Sequence, residues 1–273
     1  MPEPLVLLPG LQSDHRSWVN QTRHFSPSRQ VIVPQRHQHC DTIGAMAERV
    51  LEQLPPRFHL AAWSMGGYIA LQLLPQLVGR LVSLTLVSTS ARPEDPASTA
   101  RRMEILDLAE REGMAVANRR SMSQACLDFD AIDPEIRAGL RDASVELGLA
   151  SYRGQQRAIV NRPDSRLMLK LVDCPTLVLV GAEDTVTPPE CAREIHDAIP
   201  GSRLVVMPKC GHCAPLEYPV LVNELMDDWL AANEPPPAKG SQAPGRGGKI
   251  GEGSATSRVD RQPWHGADGR PYR

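Results

Sequence analysis

Hydrophobic residues follow two spacings along the chain. Short, unbroken apolar runs occur at Leu5-Val6-Leu7-Leu8, Val31-Ile32-Val33, Phe58-His59-Leu60-Ala61-Ala62, Leu84-Thr85-Leu86-Val87, Thr176-Leu177-Val178-Leu179-Val180 and Leu204-Val205-Val206-Met207. Runs of three to five such residues, the first two stopped by Pro9-Gly10 and Pro34, predict strands buried on both faces. Between them the spacing changes. Ile43, Met46, Ala47, Val50, Leu51 and Leu54 recur at helical intervals until Pro55-Pro56, which predicts a helix with a defined end. Further helices are predicted from Tyr68 through Leu74, Glu190 to Ile199 and Val220 to Ala232. Strands alternating with helices predict an α/β fold with a mostly parallel sheet and helices on both faces.

One stretch interrupts this alternation. Residues 92–172 contain no strand-like run and read as amphipathic helices around Ser98 to Glu112, Pro134 to Leu147, Tyr152 to Val160 and Ser165 to Leu171. An insertion after a middle strand would cover the sheet's C-terminal edge, where open α/β folds bind their ligands. The segment is therefore a candidate helical cap, with residues 1–91 and 173–233 forming the core. Residues 234–273 differ again: eight glycines and six prolines accompany only two aliphatic residues, Ile250 and Val259. Such a segment buries too little apolar surface to offset its ordering entropy, so a disordered tail is expected.

Composition narrows the function. Of 273 residues, 41% are hydrophobic and 23% charged, with a formal net charge of -2. That balance suits a globular domain and offers no electrostatic footprint for nucleic acid. No apolar run approaches the roughly 18 residues of a membrane helix, and the N-terminus lacks a secretory pattern, so a cytoplasmic protein without membrane association is expected. Six cysteines in this length predict free thiols rather than a disulfide framework.

The chemistry concentrates at three strand ends. Ala62-Trp63-Ser64-Met65-Gly66-Gly67 lies between a predicted strand and a predicted helix. A sharp strand-to-helix turn there would hold Ser64 in a strained conformation with its hydroxyl above the sheet edge. The N–H of Met65, at the helix N-terminus, could then donate to an oxyanion. Glu183-Asp184 follows the strand ending at Val180, and His212 follows the strand ending at Met207. A nucleophilic serine needs a base and an orienting carboxylate, and His212 and Asp184 supply those types on the same edge. Glu183 is the immediate rival of Asp184.

These motifs, in the order Ser64, Asp184, His212, resemble the α/β-hydrolase family over about residues 4 to 233. The resemblance implies Ser64 as nucleophile, His212 as general base, Asp184 as its orienter and the N–H of Leu11 as second oxyanion donor. Gly211-His212 through Glu217-Tyr218-Pro219 matches the family's stretch around the base. The family also uses the position of Trp63 to line the acyl pocket. Within the family the chain looks most like small bacterial carboxylesterases with a helical cap, similar to pimeloyl-acyl-carrier methyl ester esterases and 3-oxoadipate enol-lactonases. Two positions depart from the pattern: Pro9 replaces the usual histidine of the oxyanion loop, and Ala62 replaces the first glycine of the elbow.

The expectation is a cofactor-independent, metal-free serine hydrolase cleaving small-molecule carboxylic esters of small to medium acyl size. A carbon–carbon bond hydrolase, a lactonase or a non-catalytic ligand-binding protein would carry the same residues. Cys210-Gly211-His212-Cys213 also looks like a disulfide-exchange motif, but too little chain follows it for a thioredoxin fold. A zinc site combining these cysteines with His37, His39 and Cys40 is a further alternative. Met103, Met114 and Met122 suit core and pocket lining equally.

Overall fold

In a computed structural model, residues 2–236 are described; most of the tail predicted from sequence, residues 237–273, lies outside them. Six strands form one sheet: β1 (Leu5–Leu8), β2 (Val31–Ile32), β3 (Phe58–Trp63), β4 (Leu81–Val87), β5 (Thr176–Gly181) and β6 (Arg203–Met207). Their order is β2-β1-β3-β4-β5-β6 and every pairing is parallel. The unbroken apolar runs follow directly from this arrangement, because successive side chains enter two different cores. Val6, Leu8, Leu60, Leu84, Leu86, Val178 and Val180 pack with helices α2 (Ile43–Leu51), α3 (Met65–Leu77) and α7 (Pro189–Ala198). Leu5, Leu7, Ala61, Trp63, Leu177, Leu179 and Val205 pack on the opposite face, against α1 (Val19–Phe25), α8 (Ala214–Glu217) and α9 (Pro219–Asn233). Each fully buried leucine or valine contributes roughly 1.5–3 kcal/mol.

Between β4 and β5 lie α4 (Pro96–Glu112), α5 (Met114–Ala125) and α6 (Pro134–Val160). Asp95 and Asp133 start α4 and α6 by accepting backbone N–H groups, Ser98 at 3.0 Å and Glu135 at 2.8 Å. The two helices predicted over Pro134–Leu147 and Tyr152–Val160 are both present within the Pro134–Val160 run, separated by a kink at Gly148, whose φ of +75° and ψ of 169° are not helical. α5 and α1 were not apparent from spacing. In α5 only Met114, Ala117 and Asn118 are buried, so the helix has too narrow an apolar face to show a period. The helix expected at Ser165–Leu171 is a 3₁₀ segment, Arg166–Leu171, and α3 begins three residues earlier than Tyr68. α2 ends at Leu51, short of Leu54.

One residue fastens the far end of the sheet. Glu234, counted with the tail from sequence, accepts the Glu3 N–H at 2.6 Å and pairs with Arg29 at 3.1 Å and His59 at 3.4 Å. Among the described residues, no helix is long and apolar enough to cross a membrane.

His37 is fully buried, and neither ring nitrogen has a hydrogen-bond partner. Burial, and the charge of nearby His39, lower its pKa from 6.5 to about 4. The unfolded chain therefore binds a proton near pH 6.5 that the folded chain refuses until about pH 4. Folding stability should fall as pH drops through that window, by up to about 3 kcal/mol from this group. Urea unfolding at pH 7 and pH 4.5 should reveal the loss, and His37→Leu should shrink it, the remainder coming from buried His59, whose pKa burial also lowers to about 4.

Candidate active site

The strand-to-helix junction after β3 is built around a single torsion. Ser64 adopts φ +56° and ψ −118°, between the last residue of β3 and the first of α3. Such a conformation costs of order 1–3 kcal/mol in a non-glycine residue and persists only when the surroundings impose it. Here they do. Ser64 N–H donates to Val87 O at 3.0 Å, and Ser64 O accepts from Gly67 N–H at 2.8 Å and Thr89 Oγ1 at 2.9 Å. The two glycines that follow are required by close approach. A Cβ on Gly66 would lie 2.5 Å from Leu8 O, and one on Gly67 would lie 2.2 Å from Thr89 Oγ1. Ala62, the departure from the elbow pattern, sits wholly buried in β3 within the apolar core, so its methyl is accommodated there.

The three sequence-predicted polar residues come together. Ser64 Oγ lies 2.8 Å from His212 Nε2, and His212 Nδ1 lies 2.9 and 3.0 Å from the two oxygens of Asp184. Asp184 is almost fully buried. Its Oδ1 accepts the N–H groups of Val186 and Thr187, and its Oδ2 accepts the Thr187 hydroxyl at 2.9 Å. Burial alone would raise its pKa, but His212 and these donors more than offset that and hold it below the ordinary carboxylate range. Glu183 turns elsewhere: its Oε2 accepts the Cys210 N–H at 2.9 Å.

The loop bearing His212 is fixed by a carboxylate that sequence reading quoted but gave no task. Glu217 Oε2 accepts from Gly211 N–H at 3.1 Å and Leu127 N–H at 2.9 Å, while its Oε1 accepts from Cys213 N–H at 2.9 Å. His212 N–H donates to Ala125 O, and the Trp63 indole N–H donates to His212 O at 3.0 Å. Trp63 is also edge-on to Trp18, with centroids 6.2 Å apart. Its position beside Ser64 thus serves both the cavity wall and the histidine loop.

Leu11 follows β1, as expected, and lines the same cavity as Ser64. Pro9 offers no side-chain donor, yet the loop is held from another direction. Gln12, at φ +57°, donates its N–H to Gln155 Oε1 at 2.9 Å. Gln155, fully buried in α6, passes its own amide to Gln38 O at 2.9 Å. Gln12 Oε1 accepts from Asn118 and Ser144, so three helical-insertion side chains converge on this loop. Sequence offered one unused signal: Gln155 and Gln156 stand three or four residues from both Tyr152 and Ile159, on the apolar face of their helix.

The cavity above Ser64 measures about 410 Å³. Met122 borders it, whereas Met114 is buried in the small insertion core and Met103 is exposed. His37, His39 and Cys40 do not gather with Cys210 and Cys213. Among the described residues, the group of potential ligands close enough for a metal is Cys126, Cys213 and Glu217. Both Glu217 oxygens are already occupied by backbone donors, and burial raises the Cys213 thiol pKa well above its ordinary value. Those groups therefore suit the interior better than an ion. All six cysteines are free thiols.

Residues 5–225 match the model of the alpha/beta hydrolase family. The chain belongs to that family. Within it, a pimeloyl-acyl-carrier protein methyl ester esterase of Neisseria meningitidis is 29% identical over 195 residues, covering 69% of this chain and 75% of that protein. One of the same description from Aromatoleum aromaticum is 26% identical, over 82% of this chain and 96% of its own. Among solved structures, an esterase from Thermogutta terrifontis is 28% identical with a TM-score of 0.73, covering 85% of this chain and 91% of its own. An enol-lactonase from Burkholderia xenovorans, 23% identical with a TM-score of 0.73 over 85% and 92% of the chains, shares the fold.

In this hydrolase, Gln155→Leu would strand the Gln12 N–H and the Gln38 carbonyl in the interior. Each buried orphan costs roughly 1–3 kcal/mol. Urea denaturation should therefore show about 2–4 kcal/mol lost, far more than for a surface glutamine changed in the same way.

Proposed function

We propose that the protein is a serine hydrolase that cleaves small-molecule carboxylic esters of small to medium acyl size through an acyl-enzyme. The observation that carries this reading is the unbroken hydrogen-bond chain Ser64–His212–Asp184, open at its serine end to the cavity. His212 takes the Ser64 proton as Oγ attacks the ester carbonyl, and Asp184 stabilises the imidazolium that results. His212 then protonates the departing alkoxide. A water molecule, activated by the same imidazole, releases the acid and restores Ser64.

The tetrahedral oxygen is held by the N–H groups of Leu11 and Met65. Neither group donates to any acceptor among the described residues, which supports that assignment. The Gln155 contact keeps Leu11 in place in this scheme, doing from the insertion what a loop histidine does elsewhere. Trp63 forms part of the acyl wall. Residues 92–172 act as the cap that sets acyl size, and the chemistry requires no cofactor or metal. The esterase names of the relatives agree with this reading.

Hydrolysis of p-nitrophenyl esters from acetate to decanoate tests it. Ser64→Ala should lose at least ~10⁴-fold in kcat, and Asp184→Asn should lose about 10⁴-fold through the wrong imidazole tautomer. Gln155→Leu should reduce kcat by roughly tenfold or more with little change in KM, because the loop donor acts mainly in the transition state. A Ser64→Ala protein as active as the wild type would overturn the proposal.

A further inference from the structure

The two oxygens of Asp184 are held unequally. Oδ1 accepts the backbone N–H groups of Val186 at 2.9 Å and Thr187 at 2.8 Å, and lies 3.0 Å from His212 Nδ1. Oδ2 lies 2.9 Å from the same nitrogen and receives no backbone donor among the described residues. Its one further partner there is the Thr187 hydroxyl, at 2.9 Å.

That hydroxyl has no task outside this pair. Thr187 is buried, its Oγ1 donates to Asp184 and lies 3.3 Å from His212 Nδ1, and it bonds to nothing else among the described residues. Thr185 and Val186 line the cavity, whereas Thr187 stands behind them, away from any bound ester. Its direction is also fixed. Thr187 precedes Pro188, which favours an extended backbone, and branching at Cβ restricts the side-chain rotamer.

We propose that Thr187 is a positioning residue of the triad: its hydroxyl pins Asp184 Oδ2 against His212 and draws off part of the carboxylate's charge, keeping the imidazole a free base to lower pH. The proposal rests on the ester-hydrolase reading and deepens it. Burial raises the Asp184 pKa, but His212 and then the Thr187 donors more than offset that. A carboxylate stabilised by such donors holds an imidazolium less tightly, so His212 releases its extra proton at lower pH and can accept that of Ser64. Removing the hydroxyl does the reverse and frees Oδ2 to swing. The other charged groups facing the pair are Glu183 and Glu217, which accept N–H groups of the histidine loop, and Arg101 and Arg102 across the cavity. Burial pushes the Cys210 and Cys213 thiols up. All of these stay the same when only Thr187 changes.

The test compares wild type, Thr187→Val and Thr187→Ser on p-nitrophenyl butyrate from about pH 5 to 9. Thr187→Val should move the acid limb of kcat/KM up by about half to one pH unit. Its plateau kcat should fall about 3- to 10-fold with little change in KM. Thr187→Ser keeps the hydroxyl and loses the methyl, so it should return both values to near wild type. A packing role would leave Thr187→Ser at least as impaired as Thr187→Val and would overturn the proposal. Heteronuclear NMR of the His212 ring in the resting proteins reads the same titration without turnover. Ester turnover in the wild type, with the His212 midpoint and the acid limb unmoved in Thr187→Val, overturns the role of Thr187 while the hydrolase reading stands. A midpoint raised in Thr187→Val and restored in Thr187→Ser, beside a wild type that cleaves no ester, upholds that role and overturns the hydrolase reading.

Discussion

A left-handed backbone torsion at one serine sets the geometry from which the rest of the site is measured. Ser64 reaches φ +56° because β3 delivers it at full extension and α3 begins at the next residue. The strain is local, but the supports are spread across the sheet. Val87 and Thr89 hold it from β4 and the loop beyond, and Leu8 and Pro9 press against Gly66 from β1. Three strand ends must therefore be in register before the hydroxyl can point into the cavity. Parallel pairing of β1, β3 and β4 supplies that register, and burial on both faces prevents it from slipping.

The histidine and carboxylate depend on the same edge through different contacts. Gly181 ends β5 so close to the His212 loop that a Cβ there would meet Gly211 O at 2.1 Å. That closeness lets Asp184, three residues on, reach His212 Nδ1 while its remaining lone pairs stay satisfied by Thr187 and Val186. A buried carboxylate with donors on every side is fixed in place, so the imidazole it holds is fixed too. Glu183 and Glu217 do comparable work on the backbone of the loop itself. Two adjacent acidic residues, Glu183 and Asp184, thus have separate tasks that their side-chain type alone does not reveal.

Sequence spacing carried the sheet almost completely. The runs were visible because a strand covered on both faces is apolar at nearly every position, with only His59, Thr85 and Thr176 interrupting. The meeting of Ser64, Asp184 and His212 was legible for the same reason, since each follows such a run. The insertion was legible only in outline. α5 exposes most of its surface, and the polar cluster of Gln12, Asn118, Ser144 and Gln155 joins residues up to 143 positions apart. Hydrogen bonds between distant amides leave no period in a sequence. The contact that holds the loop after Pro9 comes from Gln155, too far along the chain for any local motif to carry it.

Glu217 links that insertion to the chemistry in a way that restricts motion. One of its oxygens binds both Leu127 N–H, just beyond α5, and Gly211 N–H, beside the histidine, while Ala125 O holds His212 N–H. The exit of α5 is therefore moored to the histidine loop by the loop's own hydrogen bonds. Were the helices to lift at this end, His212 would lose its seat at the moment a substrate arrived. Helix α4 carries no such tie to the histidine loop among the described residues, so the seat of His212 depends on one end of the insertion and not on the other.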